Sequence, residues 1–193
     1  VGGYASGPLL FAAAISGIPT IIQEQNSYPG VTNKILAKRA KKIFVAYPNM
    51  SLFFPENKIV YSGNPVRSII LKNLPSKEES CKFFGLDPNK PVVLSFGGSL
   101  GALTLNESIE NGLQQFSDND IQVIWQTGSY YYKKIQEKWA NKTPKGIQIH
   151  EFLKEMNFAY GAADIIISRA GASSISELCI VGKSTILVPS PNV

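Results

Sequence analysis

The sequence is poor in the residues that build metal centres and nucleophilic triads. It contains one histidine, His150, and two cysteines, Cys81 and Cys179, in 193 residues. A zinc cluster or a histidine-based catalytic triad cannot be assembled from so few such groups. The two cysteines are far apart, which argues against a disulfide framework and favours a reducing compartment, by default the cytoplasm.

Long apolar runs are also scarce. The longest, residues 8–15, is too short to span a bilayer and follows no charged segment of the kind that opens a signal peptide. Hydrophobic residues make up 44% of the chain and charged residues 17%. These values predict a soluble globular protein that can bury a core as one large domain or two small ones.

Negative charge is scarce in the first 67 residues, which hold two acidic and seven basic side chains and so carry the whole net charge of +5. Residues 33–42 contain five of the basic ones, and a helix there would leave one side to Ile35, Leu36 and Ala40. Such an element is usually a solvated face, but it could also meet anionic lipid head groups or a phosphorylated acceptor. The interleaved aromatics and long basic stripe typical of nucleic-acid binding are missing. The five basic residues are Lys34, Lys38, Arg39, Lys41 and Lys42.

Short β-branched runs alternate with helical patterns, which is typical of parallel βαβ units. The first part predicts helices over 8–16 and 31–40 and strands over 20–23, 43–47 and 58–61. A capping box at 76–79 opens a further helix, and a turn over 85–91 precedes a second unit. That unit has predicted strands at 92–96, 122–126, 147–150, 165–168 and 185–188, separated by helices at 103–116, 130–140, 156–161 and 173–181.

Five parallel strands with crossover helices make a doubly wound sheet, so the fold class is α/β with two Rossmann-like domains. Val1 stands directly before a glycine loop, and Val193 falls where a ligand loop should begin. We therefore expect a fragment of a longer protein in which both domains are incomplete.

The run from Val92 to Phe96 ends abruptly in Gly97-Gly98-Ser99-Leu100-Gly101 and then gives way to helical spacing. Glycines admit a ligand close to backbone N–H groups, and the following helix points its positive end at the same place. Phe96 replaces the first glycine of a dinucleotide fingerprint, and no lysine follows as in a phosphate-loop NTPase. Residues 97–101 could therefore form either a tight structural turn or a loop that binds a diphosphate. Similar junctions occur at residues 1–8 and 165–174.

Two other segments carry polar groups at predicted strand ends. Arg169 ends a strand, and Glu177 follows in the next helix, where it could complement the helix dipole or accept protons from a ribose diol. Residues 23–30 contain amides and a carboxylate, which suit either a turn or a loop that reads a sugar.

Six short motifs occur in register along the whole chain. They are Gly2 to Pro8, Glu24 to Asn33, Gly63-Asn64-Pro65-Val66-Arg67, Gly97 to Ala102, Glu151-Phe152-Leu153 and Arg169 to Glu177. Together they resemble the motifs of the MurG-type transferases, which have the two-domain GT-B architecture. Those enzymes transfer N-acetylglucosamine from its UDP donor to undecaprenyl-pyrophosphoryl-muramyl-pentapeptide (lipid I), giving lipid II for peptidoglycan.

The resemblance implies a role for particular residues. It places Asn26 on the donor sugar, Arg67 and Ser99 on the donor, the Leu153 backbone on uracil, and Glu177 on the ribose hydroxyls. Arg169 and Ala172 would line the nucleotide-sugar site, Gly97, Gly98 and Gly101 the phosphate loop, and Tyr4 and Ser6 the acceptor side.

The resemblance also implies that residues 1–67 belong to an acceptor and membrane-facing domain and residues 68–193 to a UDP-sugar-binding domain. The basic segment would meet anionic lipid at the cytoplasmic face of the bacterial inner membrane, where the enzyme would be peripheral. Inverting displacement would expel the diphosphate with help from Ser99, Arg169 and helix amides. No cofactor is required by the sequence, a divalent cation is possible, and the general base would lie upstream of Val1.

Two other readings remain open. The chain could belong to another GT-B enzyme, either a glycolipid glycosyltransferase or a UDP-sugar epimerase. It could instead be a nucleotide-sugar binding module that works only with a partner polypeptide.

Overall fold

A computed structural model describes residues 4–71 and 74–190. The chain divides into two compact units, the first ending at Pro65 and the second beginning at Val66. Each unit contains one parallel β-sheet, so the predicted α/β class with parallel sheets is confirmed.

The first unit has a three-stranded sheet in the order β1-β2-β3. Its core comes from alternate strand positions, such as Ile22 and Ile43, which pack with Leu36, Met50 and Phe54. The helices are α1 (Gly7–Ile15) and α2 (Val31–Ala37), and the strands are β1 (Ile21–Glu24), β2 (Lys42–Val45) and β3 (Ile59–Tyr61). Short 3-10 helices span Tyr4–Ser6, Met50–Leu52 and Glu56–Lys58.

Helix α2 is shorter than predicted. It ends at Ala37, and the amides of Arg39 and Ala40 both donate to the carbonyl of Leu36 in a closing turn. Ala40 is buried there, and the chain enters β2 at Lys42. The expectation of one basic helix over residues 31–40 was therefore wrong, because the chain must turn to bring β2 beside β1.

The second unit has a five-stranded sheet in the order β6-β5-β4-β7-β8, and all of its pairs are parallel. Its strands are β4 (Val92–Phe96), β5 (Gln122–Gln126), β6 (Ile147–His150), β7 (Ile165–Arg169) and β8 (Ser184–Val188). Its helices are α3 (Ser68–Leu71), α4 (Lys77–Phe84), α5 (Leu103–Asp118), α6 (Tyr132–Trp139), α7 (Met156–Ala162) and α8 (Ala172–Val181).

Strands β4 and β5 are buried along their whole length, as their mainly apolar sequences favour for the centre of a parallel sheet. One core lies around Leu94, Ile124 and Ile166, and another lies around Val93 and Trp125. The predicted capping box is also confirmed, since Ser76 and Glu79 exchange side-chain and backbone hydrogen bonds at the start of α4. Helix α3 was not predicted.

The strand order reverses between β4 and β7. The chain runs outward from β4 to β5 and β6, and then returns to the other side of β4 with β7 and β8. In open α/β sheets, ligands bind beyond the carboxyl ends of the strands at this kind of switch point. The loops after β4 and β7 are therefore the first place to look for a site.

Candidate functional site

The glycine loop after β4 contains two residues in the left-handed backbone region. Gly98 and Gly101 have φ values of +91° and +87°, which favour glycine. Ser99 is exposed, and its carbonyl accepts from the amide of Ser129 at 3.0 Å. The loop leads into α5, whose N-cap residue Ala102 provides no side-chain hydrogen bond to the helix. The loop and the first turn of α5 can therefore direct backbone amides at an anion.

This loop packs directly on the loop after β5. A Cβ atom on Gly101 would lie 2.0 Å from the carbonyl oxygen of Thr127, and one on Gly128 would lie 2.1 Å from the amide nitrogen of Gly101. The Thr127 carbonyl also accepts from the buried Asn106 side chain at 2.8 Å. The two backbones thus touch at a place where only glycine fits. Gly128 was not singled out in the sequence.

Arg67 and Glu177 form a bidentate ion pair in the second unit. The Arg67 Nε and Nη2 atoms donate to the two carboxylate oxygens of Glu177 at 2.7 and 2.5 Å. The buried Tyr160 hydroxyl donates to Oε2 of Glu177 at 3.2 Å. The hydrogen bond to Glu177 raises the pKa of Arg67, while burial and the Glu177 charge raise the pKa of Tyr160. Glu177 lies in the second turn of α8 and is paired with Arg67 there.

Arg169 lies at the carboxyl end of β7, beside the end of β4. Its guanidinium donates to the carbonyls of Val188 and Pro189 at 3.5 and 2.5 Å, so it links β7 to the end of β8. Ala172 opens α8, and the N-cap residue Gly171 provides no side-chain hydrogen bond. A second helix N-terminus without a side-chain cap therefore follows the strand next to β4.

The Leu153 backbone, predicted to read uracil, has its amide engaged within the protein. This amide donates at 2.9 Å to Oε1 of Gln126, a buried side chain at the end of β5. Gln126 was missed in the sequence. A polar residue closing a fully buried strand was the signal that could have identified it.

In the first unit, Asn26 lies in an exposed loop that a buried carboxylate organises. Glu24 accepts hydrogen bonds from the amides of Asn26 and Gly30 and from the side chains of Asn26 and Asn33, at 2.8 to 3.3 Å. The loop borders a cavity of about 380 Å³ lined mainly by polar residues. Tyr4 and Ser6 lie in the 3-10 helix before α1, and residues 1–3 of the predicted glycine loop lie outside the described residues.

The predicted basic segment is distributed over several elements. Lys34 lies on α2, with its ammonium 4.0 Å from the ring centroid of Tyr28. Lys38 caps α2, Arg39 and Lys41 lie in the turn that follows, and Lys42 begins β2. The Arg39 guanidinium lies 5.5 Å from the ring centroid of Phe11 on α1.

Within residues 4–71 and 74–190, no cluster of three or more histidine, cysteine or acidic side chains could hold a metal ion. None of the helices described there is long and apolar enough to cross a bilayer. Cys81 is buried, Cys179 is exposed, and both are free thiols.

His150 should make the stability of the second unit sensitive to acid. Burial lowers its pKa below the ordinary value of 6.5. The unfolded chain then binds a proton before the folded one does, so stability is complete above pH 6.5 and falls as the pH drops below it. We expect urea unfolding at pH 5.5 to show a loss of less than about 1 kcal/mol relative to pH 7.5, because the ring is only partly buried. His150→Gln should remove that part of the pH dependence. An unchanged dependence in that variant would contradict the assignment.

Comparison with known proteins gives a consistent family assignment. Residues 92–193 match the glycosyltransferase family 28 C-terminal domain, and residues 1–45 match the N-terminal domain of that family. The chain is 56% identical over 193 residues to a Parabacteroides distasonis protein named UDP-N-acetylglucosamine–N-acetylmuramyl-(pentapeptide) pyrophosphoryl-undecaprenol N-acetylglucosamine transferase. The match covers the whole chain and 52% of the relative, so the chain spans about half the length of the relatives it matches.

Solved structures agree with this assignment. The crystal structure of Acinetobacter baumannii MurG has a TM-score of 0.66 and 34% identity, over the whole chain and 52% of that structure. A Neisseria meningitidis UDP-GlcNAc 2-epimerase has a TM-score of 0.60 and 16% identity, over 94% of this chain and 56% of that one. The latter shows a shared fold alone. The expected GT-B class and the resemblance to MurG-type transferases are confirmed.

Proposed function

Since the chain belongs to glycosyltransferase family 28, we propose that the carboxyl edge of its five-stranded sheet binds the UDP part of a sugar nucleotide. The observation that carries the proposal is the pair of helix N-termini without side-chain caps, those of α5 and α8, which follow the adjacent strands β4 and β7. Two helix N-termini at the same edge of one sheet favour a diphosphate.

The diphosphate is assigned to the loop after β4. Gly97, Gly98 and Gly101 shape this loop, in which the Gly101 amide donates to the Gly98 carbonyl at 3.2 Å. The amides of Gly97 and Gly98 and the exposed Ser99 hydroxyl would provide donors, and Arg169 and Ala172 would contribute from the end of β7 and the start of α8. During transfer, negative charge develops on the departing UDP. Donors fixed in advance stabilise that charge without reorganisation.

The ribose is assigned to Glu177. Its carboxylate is held by Arg67 and Tyr160, so its position is fixed before any ligand arrives. A ribose diol could donate to the remaining lone pairs of the carboxylate, since each oxygen can accept more than one hydrogen bond. Arg67 would then stay close to the donor while neutralising Glu177.

The complete protein that carries this chain would transfer N-acetylglucosamine from UDP-N-acetylglucosamine to lipid I, with inversion. This proposal rests on the name of the P. distasonis relative and on its sequence identity of 56% to this chain. The first unit would serve the acceptor side, with Asn26 on the donor sugar and Tyr4 and Ser6 near the acceptor. The second unit, which includes Arg67, would hold the donor.

We assign the membrane contact to the first unit, at the cytoplasmic face of the inner membrane. Apolar side chains are exposed on α1 and α2, among them Leu9, Phe11 and Ile35, and an apolar cavity of about 330 Å³ lies between these helices. Apolar and cationic groups together suit an anionic lipid surface. The cationic groups are Lys34, Lys38, Arg39, Lys41 and Lys42.

Donor binding by the complete protein tests this function. We expect calorimetry to show saturable binding of UDP-N-acetylglucosamine that is tighter than binding of UDP-glucose. Ser99→Ala should weaken donor binding about tenfold, because one charge-assisted hydrogen bond contributes roughly 1.5 kcal/mol. The control Ser108→Ala removes an exposed hydroxyl from the body of α5 and should have no effect.

Equal affinity for the two sugar nucleotides would contradict the donor assignment. Equal effects of the two serine substitutions would contradict the position of the diphosphate.

A further inference from the structure

Gln126 connects two loops of the candidate site through one buried side chain. It closes β5, and only 4% of its surface is exposed. Its Nε2 atom donates to the carbonyl of Gly98 at 3.1 Å, and its Oε1 atom accepts from the amide of Leu153 at 2.9 Å. Because one partner is an acceptor and the other a donor, the orientation of the amide group is fixed by its surroundings.

These two hydrogen bonds also fix two peptide planes. In a trans peptide the C=O and N–H groups point in opposite directions. With the Gly98 carbonyl turned towards Gln126, the Ser99 amide N–H points away from it. With the Leu153 N–H turned towards Gln126, the Phe152 carbonyl points away. The Gly98 carbonyl also accepts from the Gly101 amide at 3.2 Å, so Gln126 shares the first plane with that contact. One side chain thus helps to set the direction of a backbone donor in the first loop and of a backbone acceptor in the second.

From this geometry we propose that Gln126 is a positioning residue for nucleotide recognition. It directs the Ser99 amide towards a phosphate and the Phe152 carbonyl towards the base. This inference rests on the proposed function, which supplies the nucleotide.

A fixed Phe152 carbonyl would distinguish uracil from cytosine. Uracil presents a ring N–H at N3, whereas the same atom of cytosine is an acceptor. A carbonyl fixed at that position accepts a hydrogen bond from uracil N3–H. Against cytosine it faces the lone pair of N3, so two acceptors meet without a hydrogen bond, which is costly in a site closed to water. Preference for UDP over CDP should therefore depend on Gln126.

Two substitutions at Gln126 separate its effect on the phosphate from its effect on the base. For each variant of the complete protein, the dissociation constants of UDP and CDP are measured. Gln126→Leu removes both hydrogen bonds and should weaken UDP binding by about tenfold or more while reducing the preference over CDP. Gln126→Glu keeps an acceptor for Leu153 but loses the donor to Gly98. It should weaken UDP binding and retain the preference for UDP. If Gln126→Leu does not fold, Gln126→Glu alone tests the positioning role.

Gln122 provides a matched control on the same strand. Its side chain also makes two hydrogen bonds to backbone, with the amide and the carbonyl of Asp87, each at 2.8 Å, but it lies at the amino end of β5. Gln122→Leu should lose stability to a similar degree and keep UDP affinity within about twofold of wild type. An effect on affinity equal to that of Gln126→Leu would overturn the positioning role.

Two outcomes separate a failure of the proposed function from a failure of the role of Gln126. Wild-type protein that shows no preference for UDP overturns the proposed function and this inference together. Wild-type protein that prefers UDP, with Gln126→Leu retaining both affinity and preference, overturns the inference alone.

Discussion

Replacing Gly101 with alanine should cost the protein about 4 kcal/mol or more of unfolding free energy and abolish donor binding, an effect at the extreme of single substitutions. The new Cβ would lie 2.0 Å from the Thr127 carbonyl oxygen and 2.8 Å from the Tyr131 ring. A backbone oxygen cannot move aside as a flexible side chain can, and this one also accepts from Asn106. The loops after β4 and β5 would have to separate. Urea denaturation and calorimetry with UDP measure the two effects.

Gly98→Ala is the matched control in the same loop. Its φ of +91° is also unfavourable for alanine, but its Cβ would meet no atom within 4 Å. We expect a loss of about 1 to 2 kcal/mol, which is the cost of the left-handed conformation alone. If the two substitutions destabilised the protein equally, close packing of the Gly101 and Gly128 backbones would not be the reason for glycine at position 101.

Arg67→Met should destabilise the protein by about 2 kcal/mol, because it leaves the Glu177 carboxylate buried without its cation. The Glu177 side chain is 11% exposed, but Arg67 is 44% exposed, which reduces the expected loss from the 3 to 5 kcal/mol of a fully buried pair. The double variant Arg67→Met with Glu177→Leu should recover much of the loss. A double-mutant cycle in urea measures the coupling between the two side chains.

The exposed pair Lys90–Asp120 is the control for this cycle. Its side chains are 36% and 78% exposed, so its removal should leave the unfolding free energy unchanged within error. Additive effects of the Arg67 and Glu177 substitutions would contradict the view that these two residues hold each other in place.

Much of the second unit follows from local sequence. The bounds of β4, β5 and β6 were predicted without error, because short segments rich in valine and isoleucine are followed there by glycine or polar residues. The end of α2 was not predicted, because its local pattern continues helically to Ala40. The need to place β2 beside β1 ends the helix earlier.

The candidate site was predicted in part. The glycine loop at 97–101 and the junction at 169–177 were recognisable because small residues between a strand and a helix are a local signal. The Arg67–Glu177 contact joins residues 110 positions apart, and Gln126 reaches Leu153 across 27 positions. Contacts of this kind depend on strand order, which no local pattern contains. The resemblance named Arg67 and Glu177, but not their pairing.

Amide chemical shifts of the complete protein titrated with UDP would show where the nucleotide binds. We place it at the carboxyl edge of the five-stranded sheet, where the strand order reverses. We expect saturable shift changes that are largest in residues 97–102, 151–153 and 170–177. Changes centred on the opposite edge of the sheet, around Gly85, Asp120 and Lys145, or the absence of saturable changes, would contradict it.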